Sequence, residues 1–168
     1  ETGIRGRVRS RGLGDVYKRQ LFPCANPVPE IWPWEAKEAG ARIVGTGRSD
    51  LPNQLNNSLG FPGIFRGTLD VRARTITDEM CLAAAAELAR CAEDGGLSEE
   101  RIIPKMDEWE VFPREAVAVA LKAQEQGVAR RQASREVLYD EATTRIRAGR
   151  EAVHVLTREG RIPPPTEN

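Results

Sequence analysis

Gly45-Thr46-Gly47-Arg48-Ser49-Asp50-Leu51-Pro52-Asn53-Gln54-Leu55-Asn56-Asn57, running on into Phe61-Pro62-Gly63-Ile64-Phe65-Arg66-Gly67, carries the most information in this chain. It follows a short apolar run, Ala41 to Val44, that reads as a buried strand. It then gathers asparagines, a glutamine, an arginine and an aspartate into a loop that leads into a helix. Buried parallel strands end in such loops, and ligands bind outside their carboxyl ends. A loop rich in amides and poor in ionisable groups suits recognition of a small polar ligand more than proton chemistry.

The 168 residues point to one domain, 40% hydrophobic and 30% charged. The 25 basic residues balance the 25 acidic ones. That balance supplies neither the positive field of a nucleic-acid binder nor that of a membrane-surface binder. No apolar run approaches the roughly 20 residues that span a bilayer. Cys24, Cys81 and Cys91 are odd in number and widely spaced, which resembles neither a disulfide framework nor a zinc site. Free thiols in a reducing cytoplasm are expected. His154 is the single histidine and excludes a multi-histidine metal site; it lies in a charged helix, where a solvated role is expected.

Residues 1–20 read unlike the rest. Arg5, Arg7, Arg9, Arg11, Lys18 and Arg19 crowd among glycines with no apolar periodicity. A secretory signal needs an apolar core after its basic start, and none follows. A basic nucleic-acid arm is one reading. The preferred one is that Ser10 to Gln20 resembles the in-frame translation of a transposon-type sequencing adapter. The segment is then a non-native leader, expected to be disordered, and the authentic protein is expected to begin upstream.

Leu21 to Ala25 reads as the end of a buried strand, although Pro23 cannot donate to a ladder. Asn26 to Glu30 is a turn. Pro33 to Ala39 forms a short helix with Gly40 as its stop. Two strands joined by a helix make a parallel crossover unit. Trp32 and Trp34 are read as packing residues. Asn56 or Asn57 caps a helix to about Arg72, on which Leu59, Ile64, Phe65 and Leu69 share much of an apolar face. Arg66 and Asp70 sit one turn apart. Pro62 and Gly63 predict an irregular first turn.

Thr77 caps the next helix, through about Ala92, with Asp78 and Glu79 at the favourable end of the dipole. Alanines 83 to 86 suggest close packing, and Asp94-Gly95-Gly96 ends the helix. Ser98 to Arg101 is a short turn. Phe112 to Gln126 is a helix that buries Ala116, Val117, Val119, Ala120 and Leu121, with Gly127 as its stop. Ser134 caps a long helix to about Glu159. Its weak stripe (Val137, Leu138, Ala142, Ile146, Val153) suggests partial exposure or a partner surface. There is no internal repeat.

Ala25-Asn26-Pro27-Val28-Pro29-Glu30-Ile31 and Gly45 to Gly67 resemble the C-terminal half of the cofactor-binding domain of malic enzymes of the prokaryotic type. Glu35 to Ala41 and Leu69 to Ala73 fit the same pattern. The resemblance covers roughly Leu21 to Arg130 and is densest from Ala25 to Ala73. It implies an α/β fold: the C-terminal half of a Rossmann-like, doubly wound parallel sheet, followed by a mostly helical segment. The expected divisions are a leader at 1–20, a partial NAD(P)-binding domain at 21–130, a long helix at 131–160 and a disordered tail at 161–168.

The resemblance also implies an activity: oxidative decarboxylation of malate to pyruvate and CO2, with NAD or NADP and a divalent metal such as Mg or Mn. Homo-oligomers are implied for the intact protein. Asn26 matches a family asparagine that contacts malate and the nicotinamide end of the cofactor. Asn56 and Asn57 match paired asparagines that reach malate and the nicotinamide carboxamide. Gly45, Thr46 and Gly47, with Asn26 and Asn56, are the candidate cofactor contacts. A carboxamide both donates and accepts. It can hold a carboxylate or hydroxyl without adding a charge that would perturb hydride transfer.

Structural readings stand beside these. Asn26 before proline is a turn initiator. One of Asn56 and Asn57 doubles as helix cap, and Arg48 and Asp50 clamp each other across the loop. Gly45 and Gly47 serve cofactor approach or turn geometry; they do not form the phosphate-binding glycine fingerprint. The family's catalytic tyrosine and lysine, its acidic metal ligands and its glycine-rich turn match nothing in this chain. Lys37 and Asp50 do not replace them. The chain by itself is expected to be inactive. Two other readings remain open: a non-catalytic α/β interaction module, and a different NAD(P)-dependent dehydrogenase.

Overall fold

The computed structural model describes residues 20–164. The expectations for residues 1–19, and for the tail from 165 on, lie outside the described residues. Gln20, assigned above to the leader, instead opens a strand. β1 (Gln20–Leu21) pairs in parallel with β2 (Ile43–Val44), Gln20 opposite Ile43 and Leu21 opposite Val44. The first strand therefore ends well before Ala25. Pro23, with no N–H to give, accounts for the early end.

α1 (Pro33–Glu38) makes the crossover between the strands. Glu35 accepts a hydrogen bond from the Trp32 amide at 3.1 Å, which satisfies one orphan donor of the first turn. Gly40, at φ +93°, stops the helix in a conformation that glycine adopts without strain. Trp32 and Trp34 stack on each other at 4.8 Å, and Trp34 stays half exposed.

The helix expected from Asn56 to Arg72 is two pieces. Asn57–Leu59 is a 3-10 turn, and α2 runs Phe61–Asp70. Pro62 and Gly63 cause the break, because proline fits only the first turn of a new helix. The shared apolar face does not survive. Leu59 is fully buried, but Phe65 and Leu69 are 52% and 64% exposed. The buried side of α2 is instead its glycine side. A carbon added at Gly67 would fall 2.2 Å from the Ala116 carbonyl oxygen. The small residues let α2 press directly against α4 (Val111–Glu125).

α3 (Asp78–Asp94) starts at Thr77, whose hydroxyl accepts from the Met80 amide at 3.2 Å. Of alanines 83–86 only Ala84 is buried. A helix turns each successive residue through about 100°, so a run of four cannot share one face. α4 ends at Gly127, φ +69°. Phe112, Pro113, Glu115 and Ala123 join its expected buried stripe, while Leu121 is only partly covered.

α5 (Arg135–Arg158) is capped by Ser134 and buries only Leu138 and Ala142. Those two seat its first half on α4, and the second half lies open. One apolar cluster joins Val71, Met80, Ala84, Val117, Val119, Ala120, Ala123 and Leu138. A second joins Leu59, Leu88, Cys91 and Val111, which ties the 3-10 turn to the helices. Among the described residues no helix is long and apolar enough to cross a membrane.

Candidate functional site

Two chain segments that carry asparagines meet at Gly47. A carbon added there would sit 3.2 Å from the Cys24 carbonyl oxygen and 3.8 Å from Asn26 Cβ. From the other side Asn56 Nδ2 donates to the Gly47 carbonyl at 2.9 Å. Asn26 and Asn56 thus flank one buried backbone unit at the end of β2. Asn56 Oδ1 also accepts from the Ser58 amide at 3.0 Å, capping the 3-10 turn. Its carboxamide is largely committed to holding the turn. Asn57 and Asn26 are exposed, and these are the amides presented to solvent.

Arg48 fixes the Asn26 loop. Its guanidinium makes two bonds to Asp50, at 2.8 and 2.7 Å, and a third to the Pro27 carbonyl at 2.9 Å. It also lies over the Trp32 ring at 5.5 Å. The bidentate pair holds the Asp50 carboxyl below the usual carboxylate range and raises Arg48. The expected clamp is therefore present, and it reaches across to the turn beside Asn26. Glu30 closes that turn by accepting from the Ala25 amide at 3.1 Å. The peptide between Asn26 and Pro27 is cis.

Gly45, Thr46 and Gly47 are buried. Thr46 is wholly inaccessible, and its hydroxyl accepts from the Arg48 amide at 3.3 Å. Gly45 is needed because a side chain there would fall 2.8 Å from Leu55 Cδ1. In this chain the three residues form the wall on which the asparagines are mounted. Packing within the chain favours glycine at both positions.

Asn53 was not singled out from the sequence. It is nearly buried and left-handed at φ +54°. Nδ2 donates to the carbonyls of Val44 and Glu99, at 3.0 and 2.8 Å, and Oδ1 accepts from the Ile102 amide at 2.8 Å. It pins the loop to the segment around Ser98–Arg101. Asparagine tolerates that backbone region, and Pro52-Asn53 was the available signal of a turn. Nearby, Arg42 pairs with Glu99 at 2.5 Å and Lys37 pairs with Glu100. Lys37 is thereby occupied in an ion pair.

A cleft of about 580 Å³ opens between Asp50, Gln54, Glu100, Arg101, Lys105 and Asp107. It is lined by none of Asn26, Asn56 and Asn57. No group of three or more His, Cys, Asp or Glu among the described residues could hold a metal ion. These residues do not fit the divalent metal that the resemblance implies. Cys24, Cys81 and Cys91 are free, and only Cys91 is buried.

Comparison with known proteins agrees with this architecture. A family model described as "Malic enzyme, NAD binding domain" matches residues 41–126. The "Bifunctional malic/malolactic enzyme" of Bacillus subtilis is 54% identical over 110 residues, covering 66% of this chain and 27% of that protein. The "NAD-dependent malic enzyme" of Geobacillus stearothermophilus is 50% identical over 111 residues, covering 66% and 23%. The crystal structure of Entamoeba histolytica malic enzyme superposes with a TM-score of 0.82 at 52% identity, covering 84% of this chain and 29% of that one. The chain therefore spans about a quarter of the length of these relatives. An α/β crossover ending in an amide-bearing loop, matched in sequence and in structure, leads to one conclusion: this chain belongs to the malic enzyme family and carries part of its NAD-binding domain.

Proposed function

We propose that the chain forms the carboxamide wall of a malate site, within an oxidoreductase that oxidatively decarboxylates malate to pyruvate and CO2 using NAD or NADP. One arrangement carries the reading: Asn26 and Asn56 meet at Gly47, Asn57 follows Asn56 in the chain, and Asn26 and Asn57 are open to solvent. Their donor and acceptor groups match both the amide of a nicotinamide and the hydroxyl or carboxylate of malate. The nicotinamide, when bound, supplies the acceptor for the hydride of malate C2.

The roles then divide. Asn26 and Asn57 orient the substrate and the ring. Asn56 holds the turn that presents Asn57. Arg48 keeps the Asn26 loop in place through Pro27. A proton must leave the malate hydroxyl as the hydride departs. The ionisable pair beside the cluster, Arg48 and Asp50, is closed on itself, and the low-lying Asp50 carboxyl is a poor base. This chain's share in the reaction is therefore positioning. Gly45, Thr46 and Gly47 contribute as the support beneath the cofactor's nicotinamide end.

The test is a chimera in which the 110 matching residues replace their counterpart in the Bacillus subtilis enzyme. It should reduce NAD(P) in the presence of malate. Asn26→Ala and Asn57→Ala in that chimera should each lower kcat/KM for malate at least about tenfold, close to 1.4 kcal/mol. Unchanged kinetics from both variants would overturn the assignment.

A further inference from the structure

Glu115 lies on the inner face of α4, wholly inaccessible, and neither carboxyl oxygen has a hydrogen-bond partner among the described residues. Its position is specific. A carbon added at Gly63 would fall 2.1 Å from Oε2, and one added at Gly60 would fall 3.7 Å from Oε1. The carboxyl thus fills the joint between the 3-10 turn and α2. Gly60 N donates to the Asn57 carbonyl at 3.0 Å, so a residue beside the carboxyl is bonded directly to the turn.

An unpaired charge in such a place costs far more than a neutral acid. The ionisable groups around Glu115 do not offset one. On α3, burial pushes the Cys91 thiol up to about 11, and Glu87 accepts from Arg90 and Arg114 at 3.0 and 2.9 Å. On α4, Arg114 divides itself between Glu87 and Asp94. On α2, Arg66 pairs with Asp70 at 2.6 Å, and its buried Nε has no hydrogen-bond partner among the described residues. Burial pushes Glu115 up to about 8, and the nearby Gly63 amide offsets only part of that.

We infer that Glu115 is a positioning residue for the carboxamide cluster, its uncharged carboxyl filling the joint so that the turn carrying Asn56 and Asn57 keeps its place. Ionisation of Glu115 would drive the carboxylate to seek water or a donor, and the joint would move with it. The functional meaning of this inference rests on the malate-site reading above; its structural content does not.

The experiment is NMR of the ligand-free chain across the alkaline range, following Glu115 Cδ and the amides of Asn57, Ser58 and Gly60. All four should titrate together with a midpoint near 8. Glu115→Gln should leave those amides at their low-pH positions and abolish the transition, which separates it from any response that does not originate at Glu115. Amides that stay flat while Glu115 titrates, or a transition that survives in Glu115→Gln, would overturn the inference. The wild-type titration decides the matter even if the variant does not fold. Concerted titration alongside unimpaired Asn26 and Asn57 chimeras would remove the malate assignment and keep the positioning role. Flat amides alongside impaired chimeras would do the reverse.

Discussion

In the helical region, α2 to α5 meet through Val71, Met80, Ala84, Val117 and Leu138, each at 1% exposure or less. Around the carboxamide cluster the sheet has two strands among the described residues, and polar clamps hold the chain instead. Asn53 bonds three backbone groups, Arg48 grips Asp50 and Pro27, and Asn56 grips Gly47. The first region is stabilised by area removed from water, which is non-directional. The second is stabilised by bonds that are worth something only at set distances and angles. A ligand site benefits from the second kind, because directional contacts fix where an amide points. Leu59 connects the two regions by placing the 3-10 turn in the apolar cluster with Leu88, Cys91 and Val111.

This contrast can be broken by mutation. Leu138→Ala removes the main anchor of α5 and should cost about 4 kcal/mol, read as a lower urea midpoint by far-UV circular dichroism. A much smaller loss would mean that α5 is held elsewhere. The pH dependence is of comparable size. The folded Glu115 carboxyl sits at about 8, above its ordinary 4.5, so the folded state keeps a proton that the unfolded chain has released. The stability that follows is full below pH 4.5 and is lost as pH rises through 8. At about 1.36 kcal/mol for each unit of pKa the change should be on the order of 5 kcal/mol, and the same urea series on Glu115→Gln should be nearly flat across that window. An equally steep profile from the variant would place the titration in another group.

The polar side has its own pair of variants. Asn53→Ala should cost about 2 kcal/mol from lost hydrogen bonds and buried partners left unpaired, and about 1 kcal/mol more for a left-handed alanine. Asn53→Gly should lose the first amount and not the second. Hydrogen exchange at the Ile102 amide, the partner of Asn53 Oδ1, should accelerate in both. If the amides of α4 accelerate equally, the two regions unfold as one and the contrast fails. At the small end, Val153→Ser on the open half of α5 should stay within about 0.5 kcal/mol; a larger loss would show that this half is covered in solution.

Local chemistry was legible in the residues. The crossover between β1 and β2, the stop at Gly40, the caps at Thr77 and Ser134, the clamp of Arg48 on Asp50 and the capping role within the Asn56–Asn57 pair were all expected and all occur. Apart from the crossover, each depends on residues near one another in sequence, so its geometry is set by the chain itself. The apolar face assigned to Phe65 and Leu69 failed for the opposite reason. Periodicity says which residues share a face, and it does not say which face meets a neighbour. Gly63 and Gly67 won the contact because their lack of a side chain lets two backbones approach. Glu115 was invisible for a related reason: a glutamate in the second turn of an amphipathic helix reads as solvated until the helix is docked.

Local sequence was enough for the order of the elements, most of their caps and stops, and the asparagine-bearing loops, because those follow from backbone sterics and hydrogen bonds between close neighbours. It took the packed fold to bring Asn26 and Asn56 to Gly47, to let Asn53 pin a loop to a segment 46 residues away, and to seat Glu115 beside the turn that carries Asn57. Those contacts join distant parts of the chain, and their geometry exists only once apolar burial has set the helices against one another.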